Sequence, residues 1–283
     1  MKLLNYGAKG QEKPGVLDAE QRVRSLDGFC PLITSEFLAA DGLKALKGID
    51  IANLPIIETP GRIGAPLLSP GKIIAVGLNY DEHIKETGSK PRDEPVLFTK
   101  AVSALSGPFD PIERPKNSVK VDWEIELVVV IGKSARYLNE DQVEEHIAGF
   151  CTGIDLSERD FQKQRSGQWL KGKSADSFAP IGPYLVTLDE FKAYQSCELH
   201  LDVNGQRMQS SNTNKMIHSV KKIVSYVNEF MSLQPGDLIF TGTPEGVGLG
   251  LRPQRFLQPG DVVHAEVAGL GVQQHSVVDY TAP

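Results

Sequence analysis

VDWEIELVVVIG, residues 121–132, changes character part-way along: polar and apolar side chains alternate as far as Glu126, and then Leu127 to Ile131 is apolar without a break. Alternation gives a strand one wet face and one dry face, whereas a continuous apolar run suits a strand covered on both faces. The segment therefore reads as a strand that leaves a cavity wall and enters a two-sided core. A sheet becomes the organising element of the fold.

Working outward, KIIAVGLNY (72–80) has the character of a buried strand, and the polar stretch DEHIKETGSKPRDEP (81–95) reads as mobile and exposed. Asn139 is placed to cap a helix over 140–149, with Gln142 positioned for the reciprocal bond of a capping box. Apolar Ile217, Val220, Ile223, Val224, Val227, Phe230 and Met231 follow one helical face and predict a helix over 214–233 packed on the sheet. LQPGDLIFTGT (233–243) and LQPGDVVHAEV (257–267) each put Pro-Gly at the centre of a turn that enters a strand. Before residue 71 the chain is broken by Gly and Pro at EKPG, LDG and TPG, which predicts a small N-terminal β-rich domain over 1–70 and a main domain over 71–283.

Composition narrows the function. An apolar share of 40% against 23% charged residues supplies a large core and excludes a disordered chain. The net charge of -6 gives no reason to seek nucleic acid or an anionic membrane, both of which call for clustered basic residues. Cys30, Cys151 and Cys197 are few and far apart, so they read as core thiols rather than as a disulfide framework or zinc site. No apolar run is long enough to span a bilayer and the opening residues lack a signal-peptide pattern, so the expected location is cytoplasmic.

Glu124 and Glu126 are the most informative side chains. Residues two apart on a strand share a face, with Cα atoms roughly 6 to 7 Å apart, and two carboxylates there repel. A hard divalent cation removes that repulsion; a solvated edge strand is the alternative, which the buried run after Glu126 disfavours. Asp155, in GFCTGIDLSERDFQ, offers a third carboxylate, although alone it reads more readily as a turn or helix-cap aspartate than as a ligand. His83 and Glu86 are three apart, neighbours on a helical turn, where a carboxylate can orient imidazole to take a proton from water; alone they are an ordinary surface pair. Lys173 and the Thr243 loop are candidate donors to a developing negative charge. The GVGLG of residues 246–250 is no dinucleotide loop, because Pro253 follows where a helix would be needed.

Taken in order, VGLNYDEHIKETG, DWEIELVVVIG, GFCTGIDLSERDFQ, KGKSADSFAPIGP and PGDLIFTGTPEGVG resemble the fumarylacetoacetate hydrolase family over residues 71–267. That resemblance implies an α+β, β-rich fold: a mixed β roll with flanking helices behind a small β-rich N-terminal domain. It implies a magnesium ion, with manganese as the alternative, on Glu124, Glu126 and Asp155. It implies a water-activating dyad of His83 and Glu86 on a mobile lid, and substrate contacts from Arg159, Gln162, Lys173 and Thr243. The expected reaction is hydrolysis of a carbon-carbon bond in a small 2,4-diketo acid with release of pyruvate, by a homodimer.

The opening MKLLNYGAKGQEKPGVLD is similar to a subgroup acting on 2,4-diketo-3-deoxy-L-rhamnonate or L-fuconate, which would give a hydroxy acid such as lactate, and to proteins described as ureidoglycolate lyase. Oxaloacetate decarboxylation or tautomerisation is the other enzymatic alternative. Ile154 and Ala175 depart from residues common in the family; both bear on the pocket wall and hence on substrate. A catalytically silent binding protein would have no physical reason to keep three mutually repelling acids together.

Overall fold

The computed structural model describes residues 1–282. The first strands are β1 (Lys2–Tyr6), β2 (Lys13–Leu17), β3 (Val23–Ser25), β4 (Ile73–Gly77), β5 (Val96–Lys100) and β6 (Leu105–Ser106). Next come β7 (Ile112–Arg114), β8 (Val121–Asp122), β9 (Ile125–Ile131), β10 (Ile147–Ile154), β11 (Ser157–Glu158) and β12 (Ala179–Thr187). The last are β13 (Glu198–Val203), β14 (Gln206–Asn212), β15 (Leu238–Phe240), β16 (Val262–Val267) and β17 (Gly271–Asp279). The α-helices are α1 (Ser35–Ala39), α2 (Gly42–Leu46), α3 (Asp81–Thr87), α4 (Arg159–Lys163), α5 (Leu170–Lys173) and α6 (Val220–Phe230).

The large sheet runs β3-β2-β1-β12-β10-β9-β15-β4-β5, and β6 returns to pair with β12. A second sheet, β14-β13-β16-β17-β7, packs against β9, β10 and β12. Its contacts explain the sequence of β9: Leu127, Val128, Val129, Val130 and Ile131 are all at 0% exposure because both faces are covered. Through β1 the N-terminal strands continue the large sheet, with Lys2 opposite Val186. The N-terminal seventy residues also carry α1 and α2.

Both Pro-Gly turns enter strands as expected, with Gly236 at φ 85 and Gly260 at φ 93, and all three cysteines are buried and free. Three local expectations need correction. Residues 140–149 do not form one helix: Asn139 and Gln142 do form the capping box, but of a 3-10 helix that ends at His146, since Ile147 is already pairing in β10. The helix expected over 214–233 is only α6, because Ser219 is its N-cap, accepting from the Lys222 N–H; Ile217 precedes it and Phe230 at its end is exposed. The stretch expected to be exposed after β4 begins with α3, in which His83 and Ile84 are buried.

Candidate active site

The site forms where β9 and β10 run out. Their antiparallel pairing sets Glu126 opposite Gly153, and Asp155 N–H donates to the Glu124 carbonyl at 2.8 Å just beyond the strand ends. That pairing brings Glu124, Glu126 and Asp155 together, with a set of their oxygens within 4.8 Å of one another and all three residues buried. The strand then turns into α4, capped by Glu158, which accepts from the Phe161 N–H at 2.6 Å and sets Arg159 and Gln162 on the inner side. α5 lies close against α4 because Gly172 has no side chain: a Cβ there would meet the Glu158 carbonyl oxygen at 2.5 Å. This closeness delivers Lys173, 2% exposed, to the acids.

Lys173 Nζ donates to Glu124 Oε2 at 2.7 Å and to Asp155 Oδ2 at 2.5 Å. Arg159 Nη2 donates to Glu124 Oε1 at 2.6 Å, while its Nε donates to Asp122 Oδ2 at 2.8 Å. Glu126 accepts from the Gly242 N–H at 2.7 Å. Thr243 Oγ1 donates to the Ile125 carbonyl and accepts from Gln209 Nε2, each at 2.9 Å, so its loop is tied to the start of β9.

Above the acids, His83 Nδ1 lies 2.8 Å from Glu86 Oε1, and Glu86 Oε2 accepts from the Gly246 N–H at 2.9 Å. α3 itself is anchored by Asn79, whose amide donates to the Thr241 and His218 carbonyls and accepts from the His218 N–H. A chamber of about 50 Å³ is shared by His83, Glu124, Glu126, Arg159, Gln162, Lys173 and Thr243, with Phe98 and Trp169 forming an aromatic wall. A far larger cavity, about 670 Å³, is lined by Lys44, Lys47, Lys133 and Lys192 on the outer surface. Asp41, Glu145 and Asp189 share that lining and all these charged side chains are exposed, with Lys47 3.8 Å from Asp189, so volume alone does not locate the chemistry.

Electrostatics separate the two glutamates although both are buried. Burial opposes ionisation of Glu124, but Lys173 and Arg159 overcome it and hold that carboxyl far below the usual range. Burial, reinforced by the neighbouring Asp155 and Glu124 charges, pushes Glu126 well above it. Glu126 lacks the direct cationic partner that Glu124 has. An all-carboxylate set with one member destabilised by its own neighbours fits a hard divalent cation, which would relieve that repulsion.

All nine side chains expected at the site meet here: His83, Glu86, Glu124, Glu126, Asp155, Arg159, Gln162, Lys173 and Thr243. Three others were not foreseen. Lys100, at the end of β5, pairs with Asp155 and donates to the Leu156 carbonyl at 3.2 Å; burial depresses its pKa to about 8 despite the Asp155 charge. Asp122 holds Arg159, and its position two and four residues before the glutamate pair was a usable signal. Gln209 bridges the Thr243 loop to Ile125 N from the second sheet, a contact no local pattern announces.

The domain described as fumarylacetoacetate (FAA) hydrolase C-terminal matches residues 72–278, and the chain belongs to this family of enzymes. It is 47% identical over 281 residues to 2,4-didehydro-3-deoxy-L-rhamnonate hydrolase of Sphingomonas sp. (strain SKA58), covering 99% of this chain and 97% of that one. Among solved structures it is similar to a fumarylacetoacetate hydrolase from Exiguobacterium antarcticum, with a TM-score of 0.86 at 35% identity over 99% of this chain and 100% of that one. A 2-hydroxyhepta-2,4-diene-1,7-dioate isomerase from Mycobacterium marinum has a TM-score of 0.75 at 29% identity, with 100% of each chain covered. Among the described residues no helix is long and apolar enough to cross a membrane.

Proposed function

We propose that this enzyme hydrolyses the C3-C4 bond of a short 2,4-diketo acid, with magnesium, or manganese in its place, held by Glu124, Glu126 and Asp155. The observation that carries the reading is that Glu124 and Glu126 face one chamber with His83, while Asp155 converges on the two glutamates and Glu86 holds His83. When bound, the cation supplies positive charge for the carboxylate and 2-oxo end of the substrate. Glu86 holds His83 by Nδ1–H, leaving Nε2 to take a proton from water as that water attacks C4. Lys173, Arg159 and Gln162 are the donors available to the oxyanion at C4, one well-placed donor being worth about 3 to 4 kcal/mol.

The C3-C4 bond then breaks. Its electron pair goes to C3 as the enolate of pyruvate, the water oxygen stays in the released carboxylic acid, and a proton returns to C3. The name of the Sphingomonas relative supports 2,4-diketo-3-deoxy-L-rhamnonate as substrate, with lactate as the second product; the L-fuconate-derived 2,4-diketo acid is the same compound, because the C2 and C4 centres that distinguish the two sugars are carbonyl carbons in it. Family resemblance also supports a cytoplasmic homodimer. The test is a panel of 2,4-diketo acids differing in the tail, with oxaloacetate and ureidoglycolate included, scored by pyruvate and glyoxylate release with and without a chelator. Chelator-insensitive turnover, or turnover of the last two substrates only, would overturn the proposal.

A further inference from the structure

One oxygen of each acid is already committed to a donor. Glu124 Oε1 accepts from Arg159, Glu126 Oε2 from the Gly242 N–H, and Asp155 Oδ1 from Lys100. Two of the remaining oxygens, Glu124 Oε2 and Asp155 Oδ2, share the Lys173 ammonium. Lys100 differs from Lys173 and Arg159 in that it does not line the chamber, its side chain is 0% exposed, and its second bond goes to backbone beside Asp155. It reaches Asp155, not the space in which a substrate would lie.

We infer that Lys100 sets the ion selectivity of this centre by confining Asp155 to a single-oxygen contact. The inference rests on the proposed cation site. Calcium takes six to eight oxygens and accepts two-oxygen carboxylate contacts, whereas magnesium requires six ligands in near-octahedral geometry and favours one-oxygen contacts. A cation on Asp155 Oδ2 shares that oxygen with Lys173 or displaces it; without Lys100, Oδ1 is free to join the contact and the centre becomes more accommodating to calcium. Removing an ammonium also strengthens attraction for every divalent cation, so neither affinity alone reports on geometry. Their ratio does, because the charge effect is common to both ions.

Titration calorimetry with magnesium chloride and calcium chloride on the full chain therefore tests the positioning role. K100M is expected to raise the calcium-to-magnesium affinity ratio by about tenfold. K100Q retains an N–H donor for Oδ1 without the charge and is expected to keep a ratio near that of the unaltered protein. A ratio in K100M within roughly twofold of the starting value overturns the inference. Binding of neither ion by the unaltered protein would instead sink the cation site itself, so the two failures are distinct. K100A is the reserve variant held to the same ratio; if neither K100M nor K100A folds, Lys100 is a folding element and the inference falls.

Discussion

Replacing Asp122 by Asn should unsettle the site and the fold together. Asp122 is 0% exposed, and both its oxygens are saturated with donors. Oδ1 accepts from Trp123 N at 2.9 Å and Gly248 N at 2.7 Å; Oδ2 accepts from Leu249 N at 2.9 Å and Arg159 Nε at 2.8 Å. An amide has one oxygen and one NH2, so in either orientation its NH2 faces two N–H donors. Turned one way it leaves two backbone groups without an acceptor, and turned the other it faces a backbone N–H and the guanidinium. Each unsatisfied buried donor costs about 1 to 3 kcal/mol, and breaking a buried ion pair costs about 3 to 5 kcal/mol. D122N is therefore expected to lose about 3 to 5 kcal/mol of folding stability in urea at unchanged m-value, and to lower kcat/KM through a displaced Arg159. A cycle with R159M should show coupling of roughly 1 to 3 kcal/mol, since the two side chains share the contact. A D122N loss below about 1 kcal/mol, or additivity in the cycle, would refute this account.

His83→Ala should abolish hydrolysis while leaving divalent-cation affinity nearly intact by calorimetry; equal loss of both would remove it from the water-activating role. Magnesium at a hundred times its dissociation constant should stabilise the protein by about 2.7 kcal/mol, read as a rise in thermal midpoint that a chelator reverses. Asp18 supplies a pH test far from the site. Its burial raises the pKa, but the Arg22 N–H and the Arg24 and Arg22 guanidinium groups outweigh that and hold it at about 2 against an ordinary 3.8. A depressed carboxyl stabilises the folded state above its unfolded value, and that contribution is lost as pH falls through the folded one. Denaturant midpoints should accordingly drop more steeply between about pH 4 and 2 for the unaltered protein than for D18N, and parallel curves would contradict the assignment.

Much of the site was legible because its chemistry sits at element ends that the sequence marks plainly. The switch from alternation to a continuous apolar run at Leu127 locates both the acids and the buried half of β9. What escaped depends on contacts made across the fold. Lys100 lies 55 residues from Asp155 and on the last strand of the sheet path, so only closure of the roll, through β6 on β12, makes their meeting understandable. Helix limits escaped for a local reason: Asn212 and Ser219 both cap, the first only a 3-10 turn at Thr213–Lys215, and periodicity cannot choose between them. The burial of His83 in a highly charged stretch likewise follows from the chamber it faces, which hydrophilicity does not report.

The chamber's size bears on the pace of turnover. Its free space of about 50 Å³ is room for a handful of waters among the side chains. On the proposed reading a six-carbon acid displaces that water, and α3, which Asn79 anchors and whose Glu86 is tied to Gly246, forms the wall on the His83 side. If the wall has to open for each substrate molecule, the second-order rate constant lies below the encounter limit of about 10⁸ to 10⁹ M⁻¹s⁻¹.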